Sequence, residues 1–181
     1  ISFANQDIEM SEDETKEFDI ALATTNRQPI SDLAYSVSKE PANGSVVIDS
    51  GMATYTPDAD FSGTDTLEIT AEAENQSATS QVSISISSVN DAPSLSVSFP
   101  LVYVSSELPV IVSGSTLSFP YTATDPDNSG SELSYSASIG GKSVPVTDSG
   151  EALDLAIDDS FVSGSKTIQF SVSDGEAEAT G

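Results

Sequence analysis

Carboxylates are the side chains through which this chain could do chemistry. It carries 29 acidic residues against 5 basic ones, with no histidine and no cysteine, for a formal charge of −24 over 181 residues. Without His or Cys the common nucleophile–base pairs are unavailable, and so is a thiolate zinc site. A carboxylate pair for glycoside hydrolysis could be drawn from so many acids almost anywhere, and so carries no information. No glycine pattern for nucleotide phosphates occurs. The sequence therefore reads as a non-enzyme. An all-oxygen donor set suits a hard cation, above all Ca²⁺, which takes six to eight such ligands.

The acids fall in short loop-like words. "SEDETKE" holds Glu12, Asp13 and Glu14, and "PDADFSG" holds Asp58 and Asp60. "SSVNDAPSL" holds Asn90-Asp91, and "TDPDNSGSE" holds Asp125, Asp127, Asn128 and Glu132. "VSDGE" adds Asp174 and Glu176. Whether these are scattered acids or one site depends on the elements that hold them.

Those elements are strands. "QVSISIS" sets Val82, Ile84 and Ile86 on one face, "TLEITAE" does so with Leu67, Ile69 and Ala71, and "TIQFSVS" with Ile168, Phe170 and Val172. Strict alternation of β-branched and aromatic residues marks half-buried strands, and no helical period competes. The chain also repeats. "DLAYSVS" matches "ELSYSAS", the turn "DSG" recurs, and "DADFSGTDTLEITAE" parallels "DDSFVSGSKTIQFSVSD", all at separations of 98 to 101 residues. That length suits a seven-stranded sandwich. The expectation is an all-β chain of two tandem antiparallel β-sandwich domains, residues 1–90 and 91–181, joined at "VNDAP".

Strands are expected in the first copy near 3–9, 17–23, 33–38, 45–48, 52–55, 66–72 and 81–88, with Asn43-Gly44 as a hairpin turn. The second copy is expected to lack its last strand, because Gly181 aligns near Ser80. It carries extra material, "FPLVYVSSELPVIVSG", in which residues 99–112 alternate well enough to substitute for that strand.

Label the strands A to G. Loops A–B and E–F and the end of G lie at the downstream pole of a sandwich, and loops B–C and F–G at the upstream pole. In a tandem pair the downstream pole of copy one faces the upstream pole of copy two. By that rule the five acidic words converge on one junction. Carboxylates so crowded repel unless a cation neutralises them, so calcium is expected there.

"ANGSVVIDSGMATYTPDADFSGTDTLEITAE … VSISISSVNDAP" resembles the bacterial cadherin-like and Ig-like tandem repeats of large surface adhesins (RTX-adhesin-type, VNDAP-linked). The likeness is close over residues 7–93 and looser over 94–181, through "TATDPDNSGSELSYS" and "QFSVSDG". It implies extracellular Ig-like sandwiches in series, stiffened by Ca²⁺ at their joints. The ligand positions it implies are Glu12 or Glu14, Asp58 or Asp60, Asn90 with Asp91, and Asp125 with Asp127. Cadherin linkers have an acid two residues before the Asn, where this chain has Ser88, which lowers the expected affinity or ion count. Thr25 and Arg27 stand where copy two has Asp125 and Asp127, so a preceding joint would lack the clamp.

Two functions fit. The first is an extender or presenting segment of a bacterial surface adhesin, with calcium and neighbouring repeats as partners. The second is a carbohydrate- or peptide-binding module of an adhesin or secreted polysaccharide-degrading enzyme. Sugar platforms use exposed aromatic rings, and the chain has no Trp. Tyr35, Tyr55, Tyr121 and Tyr135 fall in strand patterns where core packing is expected, which leaves Tyr103. So acidic a chain repels nucleic acid and anionic lipid, and no stretch reaches 18 apolar residues, so membrane insertion is not expected. Ile1 does not open a signal peptide, and the chain reads as part of a longer, extracellular one. Asn43-Gly44-Ser45 and Asn75-Gln76-Ser77 match the N-glycosylation pattern, though the turn reading suits Asn43 better.

Overall fold

Alternating sequence becomes strand throughout the computed structural model, which describes residues 2–20, 22–23, 33–73, 76–99, 114–130, 132–159 and 166–181. No helix occurs among them. The chain forms two compact units, Ile1–Val89 and Asn90–Gly181. Tyr103, Thr25, Arg27, and residues 100–112 of the candidate substitute strand lie outside the described residues.

In the first unit the strands are β1 (Ser2–Phe3), β2 (Gln6–Ser11), β3 (Lys16–Asp19), β4 (Leu22–Ala23), β5 (Ala34–Lys39), β6 (Gly44–Asp49), β7 (Met52–Pro57), β8 (Gly63–Ala73) and β9 (Gln76–Ser87). One sheet runs β2-β9-β8-β5 and the other β3-β7-β6, with β1 paired to β4. Strands A and B are thus each split in two, which leaves seven strands in sandwich order. β2 runs parallel to β9, from Gln6 opposite Val82 to Ser11 opposite Ser87, while β8 and β9 form a long antiparallel hairpin. The alternation of Leu67, Ile69, Val82 and Ile84 puts all four at 0 % exposure, against Phe18, Ala53 and Tyr55 of the other sheet. Burying each such aliphatic side chain is worth about 1.5–3 kcal/mol.

The second unit holds β10 (Ser94–Val97), β11 (Thr116–Thr124), β12 (Ser134–Ile139), β13 (Lys142–Val144), β14 (Val146–Asp148), β15 (Ala152–Ala156), β16 (Ile168–Ser173) and β17 (Glu178–Thr180). Its sheets are β10-β11-β15-β14 and β13-β12-β16-β17. Phe119, Leu153, Leu155 and Phe170 fill the core, with the Phe119 and Phe170 rings edge-to-face at 5.1 Å.

β17 corresponds to residues 77–79 at the start of β9, and not to residues 81–88, whose counterpart the second copy was expected to lack. β17 pairs antiparallel with β16, from Ser171 opposite Thr180 to Ser173 opposite Glu178, and Gly181 N–H extends the contact to the Phe170 carbonyl. The pairing uses backbone groups only, so "EAEATG" supports it without an apolar alternation. The strand is short, however: three residues against twelve in β9. Strand A pairs with B, as β10 on β11 from Ser94 opposite Thr124 to Val97 opposite Tyr121, just as β1 pairs with β4 in the first unit.

Candidate metal centre

The loop after β11 is built by one carboxylate. Asp125 Oδ1 accepts the backbone N–H groups of Asp127 (2.9 Å) and Asn128 (2.7 Å), and the Asn128 side-chain amide at 3.3 Å. An aspartate at the head of a turn, satisfying donors two and three residues on, is the Asx-turn that "DPDN" encodes. Only one oxygen is used. Asp125 Oδ2 is buried and has no hydrogen-bond partner. A buried anionic oxygen without a protein donor is costly, and a water or a cation would satisfy it.

The neighbours of that loop are also acids. Asp127 Oδ2 accepts the N–H of Asp91 at 2.7 Å, tying "NDAP" to the D-x-D turn. Asn90 donates its side-chain amide to Asp174 Oδ2 at 2.9 Å. Asp174 Oδ1 takes the N–H groups of Ala177 (2.6 Å) and Glu176 (2.7 Å). The Ala177 amide, the Asn90 side chain and the Glu176 amide together hold the Asp174 carboxyl below the usual carboxylate range. Glu132 Oε2 accepts the backbone N–H and the hydroxyl of Ser129, and both hold its carboxyl low as well. Within the second unit, then, the Asp91 backbone is tied to Asp127, the Asp127 backbone to Asp125, and the Asn90 side chain to Asp174. The donors are all oxygens of Asp or Asn, a set that fits Ca²⁺ and not a soft metal.

The first unit holds the other four expected ligands. Glu12 is 1 % exposed, and its Oε1 accepts the Val89 N–H at 2.7 Å where strand G ends. Its own N–H continues the ladder to the Ser87 carbonyl at 3.0 Å. Glu14, Asp58 and Asp60 are exposed on their loops. The second loop is a tight turn, with the Phe61 N–H on the Asp58 carbonyl at 3.2 Å and Asp60 in the left-handed region at φ 56°.

The sequence did not single out Asp65, which is 3 % exposed. Its carboxylate accepts N–H bonds from Ala42 (3.0 Å), Asn43 (2.8 Å) and Thr66 (2.7 Å), and the Tyr55 hydroxyl at 3.0 Å. Burial pushes its pKa up, but these bonds outweigh burial and hold it below the ordinary value. This carboxylate is fully used by the protein: it locks the Asn43-Gly44 turn to β8 and is structural.

Residues 2–86 match the family model described as Bacterial Ig domain. No curated protein matches the chain in sequence. Among solved structures the chain is similar to PcdhgB3 EC1-4, at 14 % identity and a TM-score of 0.59, covering 99 % of this chain and 46 % of that one. It is likewise similar to a protocadherin gammaB7 EC3-6 cis-dimer, at 14 % identity and a TM-score of 0.54, covering 99 % and 44 %. Each unit is an Ig-like, cadherin-like β-sandwich. The chain spans less than half the length of those two protocadherin chains, and at such identity the likeness shows the fold alone. Domains of this kind are typically extracellular and non-catalytic, and no helix of the described residues is long and apolar enough to cross a membrane.

Proposed function

We propose that this chain is a calcium-stabilised tandem-repeat segment of an extracellular bacterial surface adhesin, serving as an extender or presenting scaffold. The observation that carries the calcium reading is the buried Asp125 Oδ2, without a protein donor, in the loop whose Asp127 accepts the Asp91 N–H. Asp91, Asp125 and Asp127 would hold the ion, with Asn90 orienting Asp174 beside them. Glu12, Glu14, Asp58 and Asp60 remain the ligands that the resemblance expects of the preceding repeat. What calcium supplies is charge neutralisation: it lets crowded carboxylates adopt one geometry and so fixes the "NDAP" segment. The bacterial Ig-domain match and the sandwich fold support a role in length and rigidity rather than turnover.

The test uses linkage. Extracellular modules bind Ca²⁺ with Kd of roughly 10⁻⁴–10⁻³ M, so about 10 mM ion would add roughly 1.4–2.7 kcal/mol to the folded state. Melting is followed in calcium and in chelator at equal ionic strength. Asp125→Asn keeps the Oδ1 acceptor of the turn but removes the anionic Oδ2. It should leave stability in chelator unchanged or slightly raised, and abolish most of the calcium increment. Asp159→Asn, an exposed acid of the same unit, should keep the increment. Equal losses from both variants would mean that calcium only screens diffuse charge, and the site would be rejected.

A further inference from the structure

A cleft of about 570 Å³ opens in the second unit, lined by Tyr121, Thr122, Thr124, Tyr135, Asp148 and Gly150 among others. It goes beyond the calcium reading and uses none of its ligands. Its origin is a change of sheet. β13 pairs with β12 over Ala137–Ile139, but after Pro145 the chain continues as β14 on β15, in the other sheet. The Ser134–Ser136 half of β12 therefore has no described strand on that side. The seam between the sheets stays open there, and Tyr121 and Tyr135 stand in it half-buried, with ring centroids 5.0 Å apart and planes at 67°.

The polar wall is prepared. Asp148 Oδ1 accepts the Tyr121 hydroxyl at 2.8 Å and the Gly150 N–H at 2.7 Å, which fixes both ring and carboxylate and leaves Oδ2 to accept from elsewhere. The first unit has a cleft at the corresponding residues about one hundred positions earlier, although there Asp49 Oδ1 accepts the Ser50 hydroxyl at 2.8 Å. There Tyr35, Asp49, Ser50 and Gly51 line a cleft of about 390 Å³ with Leu33 and Ile48. Tyr35 corresponds to Tyr135, and Asp49-Ser50-Gly51 to Asp148-Ser149-Gly150. Residue 21, the counterpart of Tyr121, is Ala and lies outside the described residues.

We infer that the second unit's cleft binds a neutral hexose unit of a glycan. Its size lies within the range of small-ligand sites. Paired tyrosines offer C–H-compatible ring surface with a polar tip, threonine hydroxyls give and accept, and Asp148 accepts from sugar hydroxyls. An anionic sugar would face both Asp148 and a chain of charge −24. A neutral one meets no such cost.

The experiment is an amide NMR titration of the full chain with glucose, galactose and mannose and a linear hexamer of each, with glucosamine as the cationic control. At least one neutral sugar should shift the amides of Thr122, Thr124, Gly130 and Gly150 while the rest of the spectrum stays fixed. Asp148→Asn should weaken that binding about 10-fold, the loss of one charge-assisted hydrogen bond, and Tyr121→Phe should weaken it several-fold, both with unchanged core resonances. No shifts with any neutral sugar, shifts elsewhere only, undiminished binding by Asp148→Asn, or a response to glucosamine alone would each overturn the inference. Calcium affinity, read separately by melting, is unaffected by these two variants, so this failure and a failure of the calcium reading are distinguishable.

Discussion

Tyr55→Phe removes one oxygen from a fully buried side chain and isolates one hydrogen bond. In the native unit the Tyr55 hydroxyl donates to Asp65 Oδ2 at 3.0 Å, and lies 3.2 Å from the Asn43 carbonyl. After the substitution, Oδ2 keeps the Asn43 N–H at 2.8 Å and Oδ1 keeps Ala42 and Thr66, so the carboxylate is not stranded. The ring volume is nearly unchanged, so no cavity opens. What is lost is one hydrogen bond to a charged acceptor, worth about 1.5–3 kcal/mol. Native-state hydrogen exchange reads this unit by unit. The slowest amides of β8 and β9 report full opening of the first unit, and should exchange about 10- to 150-fold faster. Those of Phe170 and Val172 should not change. An acceleration below about threefold, or the same acceleration in both units, would refute the reasoning.

The same network sets an acid limit. Because the folded pKa of Asp65 is depressed, its contribution is complete above the unfolded value of about 3.9 and is lost as pH falls through the folded value below it. The share of the first unit's stability that Asp65 supplies should therefore be lost mainly below about pH 4. In Tyr55→Phe the carboxyl loses one of the bonds that holds it low, so the midpoint of that loss should move to higher pH. A midpoint that stayed put would show that Asp65 does not govern it.

Gly44→Ala would place a methyl 2.6 Å from both the Thr56 carbonyl oxygen and the Tyr55 hydroxyl; overpacking of this kind costs about 1–3 kcal/mol. Urea melts should show Tyr55→Phe relieving only part of that cost, since the backbone clash remains. Asp174→Ala should speed exchange of the Glu176 and Ala177 amides and release the Asn90 side-chain NH₂ signals, with the cores of both units untouched. Phe170→Ala, at a site of 0 % exposure, should cost about 3–5 kcal/mol and be felt in the second unit only.

What could be read from the sequence divides along physical lines. Side-chain alternation is a one-dimensional record of burial, so the strands of Leu67, Val82 and Phe170 were legible, although β8 and β9 begin three and five residues before the expected starts at 66 and 81. The D-x-D loop was legible for a related reason, because an Asx-turn is made by residues two and three apart. Strand β17 was not, since its one inward residue, Ala179, is small and only half-buried. The change of sheet at Pro145 was not, because either sheet offers an edge and the choice is made by tertiary pairing. Tyr121 and Tyr135 were assigned to the core by parity, which is half right: each packs against it, and the open seam leaves the other half at a cleft.

Asp65 is the more instructive omission, because the signal was present. In "GTDTLEITAEA" the inward positions are 65, 67, 69, 71 and 73, and all five are buried. An acid at an inward position of an otherwise apolar alternation cannot remain unpaired, so the sequence demands donors for it. The turn of Ala42-Asn43 and the inward Tyr55 meet that demand. Asp125 poses the same demand and meets only half of it from the protein, through Oδ1. The two carboxylates thus separate by one criterion, the number of oxygens the chain itself satisfies. Asp65, whose oxygens all find donors, is a structural lock, whereas Asp125 keeps a buried oxygen for a partner from solution.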